Sequence, residues 1–83
     1  MRHARPEDLE MLAPVLDRLR ALDGLQERTP GVFYRRSKAF LHFHADGDER
    51  YADVRAGDGF DRHPATTRRD QDGLVALVRR HLG

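Results

Sequence analysis

Eighty-three residues, no cysteine and a net charge of +1 set the outer limits of what this chain can be. The missing cysteines exclude disulfides, thiolate metal sites and thiol nucleophiles. A charge so close to zero gives no whole-chain attraction to nucleic acid or to an anionic membrane. A hydrophobic share of 39% is enough for one small folded domain. Domains of this size bury only about 60% of the surface their unfolded chains expose, and unstapled ones often gain core by self-association. A homodimer is expected on that ground. No apolar run approaches the roughly 20 residues of a membrane span. The opening Met-Arg-His-Ala-Arg-Pro is not followed by an apolar signal region, so a cytoplasmic protein is expected.

Met1–Arg5 reads as a frayed basic terminus. Pro6, Glu7 and Asp8 suit the first turn of a helix, where proline loses no hydrogen bond and acids favour the dipole. Leu9, Leu12, Leu16 and Leu19 recur at helical spacing, with Val15 and Leu22 widening the stripe. Pro14 predicts a kink or break near residues 10–13, and Gly24 a left-handed close. Residues 26–31 read as a loop. Val32–Arg35 and Ala39–Ala45 read as strands joined by a tight Arg-Arg-Ser-Lys turn, and Asp46-Gly47-Asp48 as a hairpin turn into a third strand, Arg50–Arg55. A second glycine turn leads to a short fourth strand over Phe60–His63, ended by Pro64. Thr67 then caps a second helix whose stripe is Leu74, Leu77, Val78 and His81 or Leu82. The order predicts an α+β fold of two layers: helix, an antiparallel meander of three to four strands, helix, with both helices on one face of the sheet.

Strand alternation assigns faces. Ala39, Leu41, Phe43, Ala45, Ala52 and Val54 fall on one side, with Val32 and Tyr34 placed there by a tight first turn. This is the expected core. The other side then carries Phe33, Phe40, His42, His44, Tyr51, Asp53 and Arg55. A hairpin centred on Gly47-Asp48 sets His42 opposite Asp53 and His44 opposite Tyr51; one centred on Asp46-Gly47 shifts each partner by two.

An exposed aromatic face on so small a protein signals contact with something. The leading expectation is a non-enzymatic interaction module that self-associates through this face. An alternative is nucleic acid, with Phe33, Phe40 and Tyr51 stacking bases and Arg35, Arg36, Lys38, Arg50 and Arg55 meeting phosphates. A further alternative is a metal or catalytic site on His42-x-His44, whose i, i+2 spacing aims both imidazoles to one side of a strand, with Asp53 as third ligand. His63 is a candidate fourth group. Arg68 and Arg69, with Arg62 and His63, flank a helix N-terminus able to hold a small anion. No nucleophile constellation, cofactor or small-molecule substrate is indicated.

Leu22-Asp23-Gly24 followed by Phe33-Tyr34-Arg35-Arg36-Ser37-Lys38-Ala39-Phe40 resembles the front part of MmcQ/YjbR-type proteins, in which a helix ending near Leu-x-Gly leads to Phe-x-x-x-x-Lys-x-Phe and a meander. The resemblance covers less than half the chain. It implies a sheet with flanking helices and a link to DNA, and it transfers no catalytic residue.

Overall fold

A computed structural model describes residues 2–83. Its elements in chain order are β1 (Arg2–His3), α1 (Pro6–Met11), α2 (Ala13–Arg20), β2 (Gln26–Thr29), β3 (Val32–Arg35), β4 (Lys38–Asp46), β5 (Glu49–Ala56), β6 (Gly59–Pro64) and α3 (Arg68–Leu82). Strands β2 to β6 form an antiparallel meander in chain order, and β1 pairs with β4 outside that path. The expected α+β architecture holds: leucines and valines of α2 and α3 share one core with the inward residues of the sheet, so the helices form one layer against one face.

The broken first helix follows from Pro14, which lies in the first turn of α2, where its missing N–H is harmless. Leu12 ends α1 and begins α2, and is itself fully buried. The helix stops at Arg20, before Gly24, although Gly24 does take a positive φ of 97°. At the other end the Thr67 side chain accepts from Asp70 N, and the Asp70 carboxylate accepts from Thr67 N. This reciprocal pair fixes the start of α3.

Two strands were not legible as strands. Residues 26–31, expected as a loop, contain β2, which pairs with β3. Its polar Gln-Glu-Arg-Thr sequence gives no alternation; it forms on the edge of β3, with Glu27 held from both sides. Glu27 accepts from Arg20 at the end of α2 and from Gly31 N in the following turn. Gly31 has φ 78°, which strains any other residue, and a Cβ there would lie 2.8 Å from Leu9 Cδ2 and force that side chain to shift. Of the expected frayed terminus, Met1 lies outside the described residues, whereas Arg2–His3 pairs with His44–Ala45.

The largest departure from the expected faces lies between β3 and β4. Phe33 pairs with Leu41 and Tyr34 with Ala39, so Phe40 is the extra residue of a β-bulge. The bulge shifts the phase of β3 by one residue. Phe33 therefore lies on the helix side, fully buried, and Phe40 is turned to the same side, 3% exposed with its ring edge against His81 of α3. The assignment of Phe33 and Phe40 to the open face is thus corrected, and so is that of Val32, Tyr34 and Ala39 to the core. The last three are only half-buried. The Arg55 guanidinium donates to the Ala39 carbonyl beside the bulge at 2.6 Å. The turn feeding the bulge places both Arg36 and Ser37 at positive φ, as a type I′ hairpin requires, without the Asn-Gly that usually lowers its cost.

One carboxylate is sealed into the helix–sheet junction. Asp8 of α1 is 1% exposed and meets Arg50 of β5 at 3.2 Å.

Phe33→Ala and Phe40→Ala are expected to destabilise the fold by about 3–5 kcal/mol each, and Tyr34→Ala by clearly less. Chemical denaturation would check this. Near-neutral Phe33 and Phe40 variants would return both rings to the open face.

Candidate metal centre

With the two phenylalanines removed, the open face is organised by Asp53. The β4–β5 hairpin turns on Gly47-Asp48, which fixes His42 opposite Asp53 and His44 opposite Tyr51. The β5–β6 hairpin turns on Gly57-Asp58 and sets Arg62 opposite Asp53 from the other side. On the outer side of β4, His3 of β1 faces His44. Four strands thus deliver three imidazoles, one carboxylate and one guanidinium to a single area of the sheet.

Asp53 is 8% exposed although no helix covers it; its neighbours do so. His42 Nε2 lies 3.4 Å from Asp53 Oδ2, and His44 Nε2 lies 2.8 Å from the same oxygen. The His44 contact is close enough for an ion pair but is not aligned as a hydrogen bond, and that buried nitrogen has no hydrogen-bond partner among the described residues. Arg62 donates through Nε to Oδ1 at 3.0 Å and through Nη2 to Oδ2 at 3.3 Å. The His42 and His44 rings meet edge to face at 4.6 Å, and the His3 ring centre lies 5.1 Å from that of His44 and 6.3 Å from that of His42. Phe60, 40% exposed, sets its ring against His42 at 5.1 Å.

The electrostatics follow from this crowding. Burial first, and then the neighbouring His44, lower the His42 pKa below its ordinary 6.5, outweighing the attraction of Asp53. Burial alone would raise the Asp53 pKa. The Arg62 hydrogen bond and the charges of His44, Arg62 and His42 outweigh it and hold the carboxylate below 3.8. Neutral His42 beside ionised Asp53 is therefore favoured at neutral pH, the protonation state a metal ligand needs.

Distances also suit a metal. The ligand atoms of His42, His44 and Asp53 all lie within 4.8 Å of one another. Two ligands at about 2.0–2.1 Å from a tetrahedral zinc are themselves about 3.3 Å apart, close to the separations of both imidazoles from Oδ2.

Of the other residues singled out by sequence, Tyr51 is half-buried beside His44, and Arg55 stacks on Phe60 at 4.9 Å. Arg68 and Arg69 are exposed at the start of α3, Arg69 and His63 line one surface cleft, and Arg62 is committed to Asp53 instead. His63 pairs opposite Ala52, which is on the core side, and so lies on the other face from Arg62. It is no part of the cluster. Sequence reasoning missed His3, because two residues give no strand pattern. It also missed Arg62, which a two-residue turn at Gly57-Asp58 would have placed opposite Asp53.

No protein-family model, curated protein or solved structure matches the chain. The two phenylalanines that carry the resemblance to MmcQ/YjbR-type proteins are core residues here. No helix among the described residues is long and apolar enough to cross a membrane.

Both shifted groups make stability rise with pH. The unfolded chain protonates His42 first, so stability is full above about pH 6.5 and falls below it until native His42 also protonates. The Asp53 contribution is present above 3.8 and lost as pH falls through its lower folded value. Urea titrations of metal-free protein should show both losses, and His42→Gln should remove the first. A profile flat from about pH 8 to 5 would contradict the assignment.

Proposed function

We propose that this protein binds a divalent transition metal, zinc foremost, through His42, His44 and Asp53, with His3 as the fourth ligand. The observation that carries the reading is the buried His44 Nε2, which has no hydrogen-bond partner among the described residues and lies beside a second imidazole and a carboxylate at ligand spacing. Two nitrogens and a carboxylate oxygen are a borderline donor set that suits zinc over calcium or magnesium. Arg62 takes the role of an outer partner that orients Asp53 through Oδ1. Its charge opposes a cation, and its exposed position lets it swing away from Oδ2. None of the cluster residues lines the principal surface clefts, which favours a holding role over catalysis on a substrate.

Calorimetric titration of chelator-treated protein with zinc should give one site per chain. His42→Ala, His44→Ala or Asp53→Asn should abolish it, and His3→Ala should weaken it. Arg62→Ala should tighten it by removing the opposing charge. Saturating metal at about 100 times Kd should stabilise the fold by about 2.7 kcal/mol. Unchanged affinity in the His44 variant would end this reading.

Self-association through the open face is the second reading, supported by Phe60, an exposed aromatic beside His42. The inward turn of Phe33 and Phe40 leaves it less apolar surface, and leaves base stacking with Tyr51 and Phe60 only. Sedimentation at several concentrations, with Phe60→Asp alongside, checks it: a dimer is expected to dissociate in the variant, and monomer throughout would sink the idea.

A further inference from the structure

A second feature, apart from the histidine cluster, lies where the Arg35–Lys38 turn, the end of β5 and the last turn of α3 meet. A cleft of about 360 Å³ opens there, with Arg35, Arg36, Lys38, Arg55 and His81 around a floor of Phe40 and Gly57. No acidic residue lines it. In a chain of net charge +1 that is a marked local excess.

Four arginines elsewhere are committed to carboxylates. Arg18 is paired with Asp72, Arg20 with Glu27, Arg50 with Asp8 and Arg62 with Asp53. Among the described residues, Arg35, Arg36, Lys38 and Arg55 make no ion pair. Arg55 is anchored by its Nε on the Ala39 carbonyl and by the Phe60 ring. The Arg36 backbone takes φ 52° in the turn, and the bulge turns Phe40 inward beneath the cleft. Several elements thus converge their cations on one concavity and supply no counter-charge.

We propose that this cleft binds a small, multiply charged phosphate-bearing molecule. Four permanent cations at one point call for a ligand with at least two negative charges, and guanidinium forks match phosphate oxygens. Nucleic acid is the poorer fit, because a strand needs cations tracking along a groove, whereas these converge on one cleft.

The test is calorimetric titration with inorganic pyrophosphate at low salt, using the His42→Ala/His44→Ala variant in chelator so that metal plays no part. Saturable one-site binding is expected, weakening as salt rises. Arg36→Asn with Lys38→Ala, chosen because asparagine tolerates the positive φ, should reduce affinity by at least about tenfold. Arg68→Ala with Arg69→Ala should leave it unchanged. Absence of saturation, equal loss in both double variants, or binding of a single-stranded oligonucleotide without pyrophosphate would each overturn the proposal.

Discussion

The bulge at Phe40 is the constraint on which most of this structure rests. A single extra residue in β4 changes the phase of β3, so that Phe33 and Phe40 both enter the helix-facing core. Without it, strict alternation would leave two large rings on the open face and thin out a core that has few residues to spare. Burial of two phenylalanines far outweighs the one disrupted ladder position, and Arg55 satisfies the Ala39 carbonyl beside the bulge.

The same event shapes both faces of function. Clearing the rings from the open side leaves a surface governed by one buried carboxylate, and Asp53 gathers His42, His44 and Arg62 around itself. It also brings the Arg35–Lys38 turn over Phe40 and towards the end of α3, where Arg55 and His81 complete a cationic rim. Phe60 lies between the histidine cluster and the cleft, touching His42 on one side and Arg55 on the other. The two proposed sites would favour ligands of opposite charge.

Arg62 gives the metal centre its character. In metal-free protein the guanidinium neutralises Asp53 and keeps it ionised, so the carboxylate remains an acceptor although it is nearly buried. On the proposed reading, a cation would have to compete with this arginine, which is exposed enough to yield.

The amino-acid sequence by itself determined the α+β order, the break at Pro14, the Thr67 cap, strands β3 to β6 and the side-by-side aim of His42 and His44. These follow from local rules: proline geometry, turn chemistry and period-two alternation act over a few residues and need no partner. It also offered the Asp53 pairing as one of two registers, and the Gly47-Asp48 turn selected it. Tertiary structure alone decided the rest. The bulge is a compromise between ladder hydrogen bonds and burial against α3, and nothing local to Phe40 announces it. β1 and β2 exist only because β4 and β3 offer them edges, so two residues and a polar tetrapeptide become strands with no pattern of their own. His3 joins the cluster from a different strand, and the cleft is closed by the end of a helix some forty residues from the turn it covers. The sequence displayed the two histidines, but only packing showed what surrounds them.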